Sequence, residues 1–386
     1  MGSIGGGTGS PRIDKGLDDI YVMESRICFV DGVKGRLLYY GYDIRDLADH
    51  STFEETAYLL RHGKLPNREQ LAAFTEELAA NRPIPKGIVS LLKQLPKETA
   101  PIDALRTAVS ALAGYDPELN DPSREANLRK GMRIAAKVPT IVGAFHRIRS
   151  GLRVVKPNPK YGTATDYLRM LTGKKPDKKT SRIMDVALIL HADHSMNAGT
   201  FASTVAASTL PDLYSCIVAA IATLKGPLHG GANETAIRAL LAIESPDKAE
   251  EYVLKTLAAG KKVFGFGHRV YKTWDPRALI LQDIAKKLSG RTGNETLFAV
   301  AKAVEEAMVR EVGPKGIYPN VDYWAGIVYY MLGLSPDLFP ATFAVARISG
   351  WVAHVLEYWG DNRIMRPLDW YVGPKEGVYV PIDQRP

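Results

Sequence analysis

Apolar residues recur at helical spacing through most of the chain. Leu279, Ile280, Ile284 and Leu288 form one stripe, with Asp275 placed to cap it, Pro276 at the first helical position and Gly290 as the stop. Ala232 to Ile243 reads as another helix, with Ile237, Leu240 and Leu241 on its inner face. Phe343 to Trp359 is apolar on nearly every side apart from Arg347, which predicts a helix buried in the middle of the protein. Strand signals are few. The clearest is Arg26 to Tyr42, where Asp31-Gly32 can turn a small hairpin between β-branched and aromatic residues. Strands never alternate with helices, which excludes a doubly wound sheet. Lys156 to Gly162 and Gly173 to Lys179 read as loops, and no internal repeat is visible. The pattern predicts a mainly α protein with a small N-terminal hairpin.

Length divides this picture. A chain of 386 residues exceeds one simple core, and two domains are expected. Gly226-Pro227 and Gly230-Gly231 bracket His229 and offer a hinge. The expected division is a flexible Gly/Ser-rich tail over 1–15, a large helical domain over 16–230 and 333–386, and a small mobile helical domain over 231–332. No secretory signal is apparent, and Arg347 interrupts the longest apolar run, so a cytoplasmic protein with no membrane partner is expected. Cys28 and Cys216 are the only cysteines; a disulfide framework is excluded by count, and two core thiols in a reducing compartment are expected. The formal net charge of +8 is spread along the chain, not gathered in a stripe, which favours a small polyanion over nucleic acid as partner.

Four stretches carry candidate chemistry. His229 lies just ahead of a predicted helix, where the positive end of the peptide dipoles disfavours imidazolium and leaves a neutral hydrogen-bond donor; read alone, it serves equally as a turn cap. His268 follows Gly265-Phe266-Gly267, which lacks the third glycine and the βαβ setting of a dinucleotide loop. Arg277 opens the helix that follows and can bind a carboxylate through two parallel hydrogen bonds, although an isolated arginine there is more often a surface residue. His191-Ala192-Asp193-His194 puts its two histidines on one face if the helix continues. A metal site of the phosphohydrolase type, built on a His-Asp pair, is the rival reading, and it lacks the further ligands such sites need. Asp322 stands among Tyr318, Pro319, Tyr323 and Trp324, where desolvation would raise its pKa and make it a better base; the competing role is capping the next helix. Arg347, alone in an apolar helix, needs an anion as partner, and Arg366 lies in an extended C-terminal segment.

These motifs, in this order, resemble the citrate synthase family in its short form. The likeness begins at Gly16-Leu17-Asp18, continues through Asp31-Gly32 and Gly35-Arg36-Leu37 to Gly41-Tyr42-Asp43-Ile44, and covers essentially the whole chain after the tail. The resemblance implies a two-domain helical fold and the condensation of acetyl-CoA with oxaloacetate, followed by hydrolysis of citryl-CoA. It implies that Asp322 removes a methyl proton from acetyl-CoA. His229 then hydrogen-bonds the thioester oxygen, and His268 polarises and protonates the ketone oxygen of oxaloacetate. It further implies that His194, Arg277, Arg347 and Arg366 hold the oxaloacetate carboxylates, with Arg366 donated by the other subunit of a homodimer. Lys272 and Lys262 would meet the CoA phosphates. No metal and no permanently bound cofactor is implied; acetyl-CoA is a co-substrate. The chain departs from the family at Asn197-Ala198-Gly199-Thr200, where glycine replaces a common serine and is expected to loosen a helix by roughly half a kcal/mol. The alternatives are a 2-methylcitrate synthase using propionyl-CoA with the same residues, the metal-dependent phosphohydrolase, and a nucleic-acid-binding protein driven by net charge.

Overall fold

A computed structural model describes residues 13–18, 20–227 and 229–386. Most of the expected N-terminal tail therefore lies outside the described residues. Three short antiparallel strands open the fold: β1 (Cys28–Asp31), β2 (Arg36–Tyr39) and β3 (Tyr42–Asp43), in the order β1-β2-β3. The first turn is longer than the expected Asp31-Gly32 pair. It runs through Gly35, and the Asp31 carboxylate accepts from the backbone N–H of Val33 and Lys34.

The rest is helical. α1 (Ile44–His50), α2 (Phe53–His62), α3 (Arg68–Asn81), α4 (Lys86–Gln94), α5 (Pro101–Leu112) and α6 (Arg124–Arg149) are followed by α7 (Thr163–Thr172), α8 (Lys178–His191), α9 (Ala198–Ala207) and α10 (Leu213–Leu224). Then come α11 (Ala232–Leu241), α12 (Ala249–Ala258), α13 (Pro276–Thr292), α14 (Glu295–Val312), α15 (Val321–Met331) and α16 (Phe339–Tyr358). Local chemistry explains many of the ends. Asn67 and Gln70 form a capping box on α3, and Asp177 and Asp212 cap α8 and α10. Asp275 caps α13 as expected. Its stop is Gly293 (φ 68°) instead of Gly290, which stays helical.

α16 is the central element. It packs on α2, α5, α6, α8, α9, α10 and α11, and its apolar window is 94% buried, so it is a core helix. α11 to α15 pack largely on one another, through α13 on α15, α11 on α15 and α12 on α14. One apolar core runs through both groups. Gly199 falls in the first turn of α9, where an added Cβ would lie 3.2 Å from the indole nitrogen of Trp351; packing against Trp351, beyond helix propensity, governs this position.

Candidate active site

The segment carrying His268 is stitched to the start of α15. The Gly267 N–H donates to the Tyr318 carbonyl (2.9 Å), the Asn320 N–H to the Gly265 carbonyl (2.9 Å), and the Asn320 side-chain amide to the Gly267 carbonyl (2.9 Å). Gly265 (φ 86°) is required twice over: its backbone is left-handed, and a Cβ would lie 2.8 Å from that of Tyr323. Asn320, through its side-chain oxygen, caps α15 by accepting from the Asp322 N–H (3.0 Å), so the capping role that competed for Asp322 belongs to its neighbour. Asp322 is left free for other work, and its Oδ1 is buried with no hydrogen-bond partner among the described residues.

Asp275 ties this unit together. Its carboxylate accepts from the Arg277 N–H, from Arg277 Nε (3.0 Å) and a terminal guanidinium nitrogen (2.7 Å), and from the Val321 N–H (3.1 Å). The buried Arg277 is thereby fixed at the first turn of α13 against the start of α15. Burial works against its charge, but the Asp275 carboxylate outweighs that and holds its pKa above the ordinary value.

The histidines gather beside it. The rings of His194 and His268 lie 5.1 Å apart, and Tyr271 packs on both. His194 Nε2 is 3.2 Å from the Tyr271 hydroxyl. His268 Nδ1 accepts two backbone hydrogen bonds, from Val270 (2.9 Å) and Tyr271 (3.1 Å). An accepting Nδ1 carries no proton, so the neutral ring must bear its hydrogen on Nε2 and present it as a donor. Burial, and then the charge of Arg277, lower its pKa to about 4. His229 sits just before α11. Its Nε2 is 3.3 Å from Asn197 Oδ1, an oxygen that also caps α9 by accepting from Gly199 and Thr200. Burial, then Arg347 and His268, lower the His229 pKa to about 4 as well. His194 is pushed well below its ordinary value by burial, then by Arg277 and His268. All three rings are neutral at pH 7.

Arg347, buried in α16, donates through Nε to the His191 carbonyl (2.6 Å) and stacks over Phe343 (4.7 Å), whose ring also meets those of His191 (5.0 Å) and His229 (6.0 Å). Among the described residues it makes no ion pair. Its charge and that of Arg277 both reach Asp322, where they pull the pKa down, but burial dominates and the carboxyl rises to about 6. Asp322, Arg277, Arg347, His194, His229 and His268 thus form one electrostatically connected cluster.

The His-Ala-Asp-His stretch does not share a helix face. α8 ends at His191, and His194 lies in the loop beyond. The side chains diverge: His191 Nδ1 to the Ala187 carbonyl (2.7 Å), Asp193 to His354 Nε2 (3.1 Å), His194 to Tyr271. Among the described residues no group of three or more His, Cys, Asp or Glu is arranged to hold a metal, which removes the structural basis of the phosphohydrolase reading. The buried Asp193–His354 pair is a clasp that sequence reading missed, as is the Tyr39 hydroxyl, which donates to the Asp193 carbonyl (2.9 Å) and accepts from its N–H (3.1 Å). Arg366, Lys262 and Lys272 are exposed; the charge of Lys272 reaches His268 and helps lower its pKa, while Lys272 Nζ donates to the Arg269 carbonyl.

Neutral donors, a desolvated carboxylate and buried cations thus stand together in a helical frame, a set suited to stabilising negative charge as it develops on a carbonyl oxygen. A family model described as "Citrate synthase, C-terminal domain" matches residues 16–368. The chain is 44% identical to the citrate synthase of Deinococcus radiodurans, covering 97% of this chain and 99% of that one. The citrate synthase structure from Pyrobaculum aerophilum is 42% identical, with a TM-score of 0.91 over 96% of this chain and 95% of that one. That of Thermoplasma acidophilum, a ternary complex with carboxymethyl coenzyme A and oxaloacetate, is 37% identical, with a TM-score of 0.93 over 97% of this chain and 100% of that one. The chain belongs to the citrate synthase family.

Proposed function

We propose that the chain condenses acetyl-CoA with oxaloacetate and hydrolyses the citryl-CoA formed, with Asp322 as base and His229 and His268 as neutral donors. The observation that carries this reading is a buried Asp322 carboxylate oxygen with no hydrogen-bond partner among the described residues, in one cluster with a His268 ring whose Nδ1 accepts two backbone hydrogen bonds and a His229 ring whose Nε2 meets Asn197. A carboxylate is far too weak a base to deprotonate a thioester methyl in water, so charge must be stabilised where it develops. Asp322 Oδ1, which has no hydrogen-bond partner among the described residues, takes the methyl proton. The single N–H of neutral His229, directed at Asn197 in the free chain, turns to the thioester oxygen. The Nε2–H of His268 meets the ketone oxygen of oxaloacetate and protonates it as the carbon–carbon bond forms. One preorganised donor of this kind contributes about 3–4 kcal/mol. His194, Arg277 and Arg347 hold the carboxylates, and Lys262 and Lys272 meet the CoA phosphates.

The same reading makes 231–332 a small domain that closes on 16–230 and 333–386, excluding water from the enol. It also makes the protein a cytoplasmic homodimer. The dimer is supported by the exposed C-terminal segment after α16, where Leu368, Trp370, Tyr371, Val372 and Tyr379 present apolar surface that a second subunit would cover. Arg366, at the root of that segment, then reaches the partner's oxaloacetate. The free thiols Cys28 and Cys216 fit the cytoplasm.

Steady-state release of CoA thiol tests the proposal. The expected result is oxaloacetate-dependent release, with a higher kcat/KM for acetyl-CoA than for propionyl-CoA. Equal or greater efficiency with propionyl-CoA would make the chain a 2-methylcitrate synthase, since one methylene shifts binding by only about 1–3 kcal/mol. No release with either thioester would contradict the condensation itself.

A further inference from the structure

Where the approach to β1, the end of α2, the start of α6 and the last turn of α16 meet, there is a cavity of about 550 Å³. None of its walls belongs to the cluster above. Three arginines line it, Arg26, Arg61 and Arg124, against one carboxylate, Glu357. Among the described residues none of the three guanidinium groups makes an ion pair or donates a side-chain hydrogen bond, and the Nε of Arg61 is buried without a partner. Glu357 accepts through Oε1 from the backbone N–H of Arg26 (2.9 Å), a neutral donor that leaves the carboxylate charge in place, and its Oε2 is buried without a partner among the described residues, so one negative charge stands against three positive ones. His62, also in the wall, adds no charge: burial, then Arg61, Lys64 and Arg124, lower its pKa to about 4.

A single exposed arginine without a partner is ordinary and solvated. Three that converge on one concavity, one of them with a desolvated nitrogen, leave an excess of positive charge over the single carboxylate of Glu357. The backbone adds to it, because Arg124 is the first residue of the 26-residue α6 and the positive end of that helix opens here.

We propose that this cavity binds a small polyphosphate anion, of nucleoside-polyphosphate size, at a site separate from the histidine–aspartate cluster. Guanidinium forks match phosphate oxygens in pairs, and three forks suit a chain of phosphates better than one carboxylate. The volume falls within the range of small-molecule sites, and a dicarboxylate would leave most of it to water.

The test is calorimetric titration of the full-length protein with inorganic tripolyphosphate at constant ionic strength. It uses wild type, an Arg26→Gln/Arg124→Gln double variant and a Lys262→Ala/Lys272→Ala double variant. Arg26 and Arg124 are exposed and their side chains make no hydrogen bond or ion pair among the described residues, so the first variant should fold and keep its oxaloacetate-dependent rate. The expected result is a saturable binding event that persists in the lysine variant and is at least tenfold weaker in the arginine variant. Arg61→Gln alone should weaken it in the same direction and guards against misfolding of the double variant. Absence of saturable binding, or equal affinity in the arginine variants, would overturn the proposal. So would a loss confined to the lysine variant, which would put the anion on the CoA contacts. A crystal of the protein with the C-terminal segment of a second copy filling the cavity would overturn it as well.

Discussion

Asp322 occupies the second position of α15, where the peptide dipoles favour a carboxylate, yet its pKa stands at about 6 because burial outweighs the dipole and both nearby arginines. Two predictions follow from the sign of that shift. Since the base must be ionised, kcat/KM should fall on the acid side with a midpoint near pH 6 and a slope of one. His229 and His268, ionising near 4, contribute nothing above pH 5. A pH–rate profile with its acid limb near pH 4 would contradict this. The folded protein also binds this proton more tightly than the unfolded chain. The group therefore favours folding at low pH and opposes it increasingly as pH rises through about 4 to 6. At pH 7.5 Asp322→Asn should melt no lower than wild type, and any gain should shrink toward pH 4. A lower melting temperature at pH 7.5 would mean the carboxylate is structural.

Elements were legible in the sequence where their signals are local. Asp275-Pro276 marked the start of α13, and the long apolar run, interrupted by Arg347, marked α16; a helix after Asp322 was foreseen, but its cap is Asn320. Boundaries failed where two residues of one type competed: Gly290 and Gly293 look alike in sequence, and only the second enters the left-handed region. The candidate catalytic and binding residues were visible as residue types, but the contacts that aim them were not. Asp193 and His354 are 161 positions apart, and Asn197 meets His229 across 32. No periodicity encodes such pairs. Two substitutions test the aiming contacts. Asp193→Asn removes the charge paired with the buried His354 imidazole, which can then lose its proton, and should cost about 1–3 kcal/mol in urea denaturation; no measurable change would show that the clasp is idle. Gly265→Ala forces a Cβ onto Tyr323 and strains a left-handed backbone, so it should displace the His268 loop and lower kcat more than stability. A variant with unchanged kcat would detach that loop from the chemistry.

At the scale of the whole molecule, the account requires two subunits per functional site. Arg366 is exposed and is proposed to act in the partner's site, so Asp322→Asn and Arg366→Ala should complement one another: mixed dimers contain one site with both residues intact. Activity recovered on refolding the inactive pair together supports donation across the dimer, and its absence assigns Arg366 to its own subunit or to none. The central claim is narrower, that one buried carboxylate and two uncharged imidazoles act together on acetyl-CoA and oxaloacetate. Its most direct measurement is the rate of oxaloacetate-dependent thiol release in Asp322→Asn, His229→Gln and His268→Gln beside wild type. Losses of about 10²–10⁴-fold in each, with the fold intact, are predicted. Near-wild-type release from Asp322→Asn would contradict the account.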